Sequence, residues 1–432
     1  MTFRRALGAG LIGAALFAPL TLTSAVQAAT QAPSAEAVVN HYADIALATY
    51  EDSLSTAKAL QKAVNALIAK PSEQTLQAAR TAWLAARVPY QQSEAYRFGN
   101  AVVDDWEGRV NAWPLDEGLI DYVDGDSYGS ESYENPFYTA NVIANPTLTI
   151  GGQSVDAGTI TPELIQQLHE IDGVEANVAG GYHAIEFLLW GQDLHGTEPG
   201  AGERPYTDFD SANCTGGNCE RRAQYLQSAT DLLIADLEEM VANWKEGSAA
   251  RADLEAKSPT EGLAVITTGM GSLAYGELGG ERTKLGLMLH DPEEEHDCFS
   301  DNTHNSHYYD AKGIQNVYLG LYSRVDGSVV DGPSLSDLVA ARDAELDRKM
   351  RDQLAHTQAA GQAMVDSAEQ GAPFDVMIAP GNSEGGRLVQ NFVDSLVAQT
   401  GVTEEIIAKL ELGDIAIEGS DSLDNPSAVG AE

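Results

Sequence analysis

Basic residues are scarce in this chain: 25 Lys and Arg stand against 65 Asp and Glu, a formal net charge of −40 over 432 residues. A surface of that sign repels phosphate backbones and anionic lipid, because neither offers it countercharge, so nucleic acid is not an expected partner. The acidity otherwise reads as a solubility device. Cysteine is scarce too, with only Cys214, Cys219 and Cys298. Cys214 and Cys219 enclose Thr-Gly-Gly-Asn, a loop short enough to close as a local disulfide in an oxidising compartment. Cys298 is then left over, either buried and inert or competing for one of the other two. Spacing alone leaves that pairing open.

Long apolar runs are missing after the first residues. The one present, Ala6 to Leu22, follows Arg4 and Arg5 and precedes the small-residue site Val26-Gln27-Ala28, the layout of a cleaved signal peptide over residues 1–28. Gly8, Gly10, Gly13 and Pro19 argue against a retained spanning anchor, and no Cys follows the run to carry a lipid. The expected location is therefore outside the cytoplasm, in the periplasm or on the outer cell surface. About 404 residues would remain, with 23 basic against 65 acidic, enough chain for two domains with separate cores.

Helical periodicity dominates what is present. After Ser34, a good N-cap, Val38, Tyr42, Ile45, Leu60, Val64 and Leu67 recur at three- and four-residue steps, and Pro71-Ser72 restarts the chain into a second helix through Leu76, Ala79, Trp83 and Ala86. Residues 122–160 are irregular, with a β-like run at Leu148-Thr149-Ile150 that predicts a small hairpin. Helix resumes at Thr161-Pro162-Glu163. The polar, Gly-rich stretch 192–220 is the candidate boundary between halves, and further helices are expected near 221–246, 260–290, 334–369, 383–400 and 403–411. Gly419 to Glu432 lacks an apolar period and is expected to be disordered. The fold class predicted is all-α: two helical-bundle halves, 34–200 and 221–412, with long irregular loops and at most a small β-hairpin.

Three segments carry chemistry. His183 and Glu186 stand three apart in the apolar stretch Tyr182 to Trp190, so that imidazole and carboxylate share one side of a helix, and Gly180-Gly181 permits a close backbone approach just before them. A buried carboxylate is costly unless it is paired, protonated or metal-bound. Taken alone, a His-x-x-Glu pair is more often a structural contact than a metal site. The zinc-protease signatures His-Glu-x-x-His and His-x-x-Glu-His are both missing, since Phe187 stands where the second His belongs. A second segment runs from Glu293 to Asp310; four of the nine His lie between positions 290 and 307, and Asp301, His304, His307 and Asp310 are spaced by three. Its carboxylate and imidazole mixture suits iron, zinc or manganese, and its composition equally describes a solvated polar loop. The third group comprises Glu94 and Arg97, readable as a pair on one face, followed by Trp113-Pro114-Leu115-Asp116 and Asp121. Gly280-Glu281-Arg282 offers a similar charged couple.

Together, Gly181-Tyr182-His183-Ala184-Ile185-Glu186, Trp113-Pro114-Leu115-Asp116 and Cys298-Phe299-Ser300-Asp301-Asn302-Thr303-His304 resemble the imelysin family (peptidase M75-like), in its iron-regulated branch, over about residues 35 to 412. The resemblance implies an all-helical protein with the Gly-x-His-x-x-Glu motif near the interface of two halves. It implies His183, Glu186, Asp301 and His304 as metal ligands, with Ser300, Glu94, Arg97, Trp113 and Asp116 around the bound species. The cofactor implied is iron, with zinc or haem as alternatives, and the partners are iron or an iron-bearing ligand and membrane components of iron uptake. The family's peptidase name points to a second reading, a zinc-dependent metallopeptidase using Glu186, which the missing second His counts against.

Overall fold

The computed structural model describes residues 32–133, 135–150 and 153–429; the expected signal peptide, 1–28, lies outside them. Ser34 caps the first helix, its hydroxyl accepting from the Ala37 amide, and α1 (Ala35–Ala69) buries the stripe from Val38 to Leu67. A capping box between Ser72 and Thr75 opens α2 (Glu73–Gln91), which packs along α1. Then come α3 (Ala101–Asn111), α4 (Pro162–Leu168) behind the Thr161 cap, and α5 (Gly181–Trp190). The irregular excursion between α3 and α4 contains the expected hairpin, β1 (Thr147–Ile150) antiparallel to β2 (Gln153–Asp156), with Leu148 opposite Val155.

Beyond the polar stretch that carries the Cys214–Cys219 disulfide, α6 (Cys219–Asn243) packs back on α1 and α5. Cys298 is the free thiol. Next are α7 (Ala249–Glu255) and α8 (Pro259–Ser272), the latter opened by a Ser258–Glu261 capping box. The helix expected over 260–290 changes winding partway: Leu273–Lys284 is a π-helix, and α9 (Leu285–Leu289) completes it. The segment Glu293 to Asp310, which composition left open as a solvated loop, instead feeds α10 (Thr303–Leu319). A second hairpin, β3 (Leu321–Ser323) with β4 (Val329–Asp331), follows and was not expected.

The stretch 334–369 is two helices, α11 (Leu335–Arg342) and α12 (Ala344–Glu369), because the Asp343 carboxylate caps the Glu345 and Leu346 amides and restarts the chain. The short α13 (Phe374–Ile378) precedes α14 (Ser383–Leu410), one continuous helix across the two segments 383–400 and 403–411. The last described residues are placed: α15 (Asp421–Asp424) sits on the π-helix, with Ser420 and Ser422 buried and the Ser422 hydroxyl donating to the Gly280 carbonyl. Among the described residues no helix is long and apolar enough to cross a membrane.

Two packings position the site. The helix α5 is buried at every residue and lies against α2, α3 and α6. The helix α10 touches α2, α12 and the π-helix. The loop 291–302 arrives between these groups.

Candidate metal centre

Gly181 begins α5 at φ +79°, and a Cβ there would come within 2.5 Å of the Val110 carbonyl oxygen, so the close backbone approach read from Gly180-Gly181 is to α3. The next turn brings His183 and Glu186 together: His183 Nδ1 lies 3.0 Å from Glu186 Oε2, both side chains being buried. The other carboxylate oxygen of Glu186 is held by Ser300, whose amide donates at 3.0 Å and whose hydroxyl donates at 2.6 Å. This contact locks the loop 291–302 onto α5, and it carries His296 and Asp297 in with it.

The rings of His183 and His296 lie 4.9 Å apart at their centroids. One ligand atom from each of His183, His296 and Asp297 lies within 4.8 Å of the other two. Asp297 is held in place by a buried ion pair with Arg87 at 2.7 Å, by the Asn302 amide at 2.8 Å and by the Ser306 hydroxyl. Arg87 itself is set on α2 by Asn111 and by the rings of Tyr182, Trp83 and Tyr90. His296 Nδ1 meets the Gln91 amide nitrogen at 3.3 Å, and Trp113 stands edge-on to its ring at 5.4 Å. Nε2 of His183 and Nε2 of His296 are buried with no hydrogen-bond partner. Such orphaned groups are uncommon in protein interiors.

Charge follows burial here. Desolvation, helped by the Arg87 charge, pushes His183 down to about 3, and desolvation with the Arg282 charge holds His296 well below the ordinary imidazole range. Both rings are neutral and keep a lone pair at physiological pH. Burial works to raise the Asp297 carboxyl, but Arg87 and the hydrogen bonds from Ser306 and Asn302 keep it below the usual range. Burial and the neighbouring Asp297 charge raise Glu186 well above it. The centre thus combines two neutral imidazoles with one firmly ionised carboxylate.

His183, His296 and Trp113 face a cavity of about 460 Å³, whose wall also includes Asp116, Glu117 and Glu293. Burial raises Glu117 to about 8, with the Glu293 charge adding to it. Cys298 lines the same cavity, and burial pushes its thiol up, so it stays protonated.

The other expected residues fall in different places. Trp113 and Asp116 are on the cavity wall, the Asp116 carboxylate accepting from the Asn135 amide. Ser300 braces Glu186. Asp301 groups with Asp193 and Asp375 and not with His183. His304, buried and lowered to about 4 by desolvation, meets the side chain of Asn305 and belongs to neither group. Glu94 does not pair with Arg97 but with Arg282, which also takes Glu277 and Asp310; Arg97 binds Asp104, Glu107 and Glu277. Neither Glu94 nor Arg97 lines the cavity. His296 and Asp297 were not singled out by sequence reasoning. The signal available for them was their place just ahead of Ser300, the residue that docks on Glu186.

The imelysin (Peptidase M75) family pattern matches residues 46–403. A curated relative, iron-regulated protein A of Synechococcus elongatus, is 32% identical over 118 residues, which is 27% of this chain and 32% of that protein. The chain thus spans about a third of that relative's length. Two crystal structures share the fold. One, from Parabacteroides distasonis, is assigned as an iron-regulated protein A precursor and aligns with a TM-score of 0.61 at 19% identity, covering 88% of this chain and 97% of that one. The other, an imelysin-like protein from Psychrobacter arcticus, aligns with a TM-score of 0.59 at 16% identity over 88% and 98% of the two chains.

Proposed function

We propose that this chain, which belongs to the imelysin family, is an exported protein that binds iron, or a ligand bearing it, at His183, His296 and Asp297 as part of bacterial iron uptake. The observation that carries this reading is the pair of neutral, buried imidazoles on a cavity wall, each with an unpartnered ring nitrogen and both close to the ionised Asp297 carboxylate. Nitrogen and oxygen donors of this kind suit iron, zinc or manganese. Glu186 would act on the imidazole by holding His183 Nδ1 at 3.0 Å and so fixing the orientation of the ring. The acidic wall would concentrate cations at the cavity. The relative in Synechococcus is named for its iron regulation, which supports iron over the other two metals.

Binding is favoured over peptide hydrolysis by the state of Glu186. A general base must be free to reach a metal-bound water. Both oxygens of Glu186 are engaged, one by Ser300 and the other by His183. Purified mature protein is expected to bind about one iron per chain, and His183→Ala and His296→Ala should each lose it, as read by elemental analysis after gel filtration. If both variants retain iron as the parent does, the assigned centre is wrong.

A further inference from the structure

We propose a second cation site, for a hard divalent ion of the calcium class, formed by Asp193, Asp301 and Asp375 with Glu295 behind them. One carboxylate oxygen from each of Asp193, Asp301 and Asp375 lies within 4.8 Å of the other two. They come from three separate parts of the chain: the residues just after α5, the loop before α10, and α13. Tertiary packing has brought three negative charges to one point, and none of the ion pairs among the described residues involves them.

The burial of Asp375 points to a ligand. Its side chain is fully buried, and neither carboxylate oxygen has a hydrogen-bond partner. The Asp375 and Val376 amides are near enough to favour its charge, yet outside hydrogen-bond geometry. Oδ1 of Asp301 and Oε2 of Glu295 are likewise buried without partners. A carboxylate in that position is expensive unless something positive or protonated meets it. Burial and mutual repulsion raise Asp375 to about 7 and Asp301 to about 6. Asp193 keeps one bond, from the His195 amide at 2.8 Å. The three grouped carboxylates make an all-oxygen donor set, which hard cations prefer and soft ones do not. Asp193 and Asp301 are only partly buried, which leaves room for the waters that calcium and magnesium retain.

The site is chemically unlike the His183 centre, although Glu295 and His296 are consecutive, so the two can be tested apart. Mature protein stripped with chelator is titrated calorimetrically with CaCl₂ in moderate salt, with MgCl₂ and MnCl₂ as comparisons, and its melting temperature is followed. One saturable calcium per chain is expected, with a Kd on the order of 10⁻⁵ to 10⁻³ M and a melting temperature several degrees higher. Asp375→Asn and Asp301→Asn should each weaken binding at least about tenfold. Asp375→Asn keeps the side-chain shape and removes a repelled charge, so the ion-free variant should melt no lower than the ion-free parent. His183→Ala should leave the calcium isotherm unchanged. If the parent binds no saturable calcium, magnesium or manganese, or if both Asn variants bind as the parent does, the carboxylates merely share protons and the site is overturned.

Discussion

Glu107 on α3 shows how a buried charge in this protein is managed, and what it costs. Its carboxylate accepts from the Asn111 amide at 3.0 Å and lies 3.5 Å from Arg97, yet burial and the nearby Glu94 raise it to about 7. A carboxyl raised in the folded state contributes stability that is complete below its unfolded pKa, near 4.5, and is lost as pH climbs through 7. Glu107→Gln, which retains an acceptor for Asn111, should therefore match the parent near pH 4.5 and exceed it by ~2–3 kcal/mol at pH 8. Paired urea melts across that range would check it, and parallel curves would contradict the assigned burial. His183 has the opposite sign, since its depressed pKa favours the folded state above about 6.5 and withdraws that support toward about 3. The residue types at the His183 centre were legible in part. The motif named His183 and Glu186, whereas His296 and Asp297 lie more than 100 positions away and are joined to them only through Ser300. No spacing rule spans that distance.

At the scale of elements, helices with an apolar stripe were readable and helices with a polar core face were not. Periodicity and caps located α1, α2, α4, α6 and α8 within a few residues. The helix α10 escaped because its inward residues include His304, His307 and Asp310, all buried and polar, so its pattern mimics a solvated loop. The π-winding of Leu273–Lys284 also has no apolar signature. Its glycines make sense only against neighbours: a Cβ at Gly280 would lie 2.2 Å from the Ser420 side chain, and one at Gly276 would lie 2.7 Å from the Glu418 carbonyl oxygen. Gly181 tests this kind of contact most sharply, because it joins a positive φ to a collision with backbone. Gly181→Ala should destabilise the fold by about 3 kcal/mol or more and displace His183 from the centre. Thermal unfolding together with iron stoichiometry would measure both effects; a stable variant with normal metal content would contradict the packing of α5 on α3.

At the scale of the whole molecule, the terminal segment acts as part of the body. Ile415 and Ile417 pack on the core, the Glu418 amide donates to the Ser272 hydroxyl, and Tyr275 donates to Asp424. Deleting residues 415–432 should cost about 3 kcal/mol, from two partly buried Ile side chains and several hydrogen bonds. Because the deletion removes none of the residues of the His183 centre, iron stoichiometry should be unchanged. Unaltered stability in a denaturant melt would contradict the seating of this segment.

By itself the sequence determined what depends on short-range order: the helical class, most helix starts, the β1–β2 hairpin, the acidic surface and the His183–Glu186 pair. Each of these is set by residues within one or two turns of one another, where spacing translates directly into a shared face or a cap. Tertiary structure alone decided the rest. It matched His183 with His296 and Asp297, sent Asp301 to Asp193 and Asp375, and paired Glu94 with Arg282. These groupings follow from how α2, α5, α10 and the loop between them pack, and a buried polar side chain carries no periodic mark of the partner it will meet.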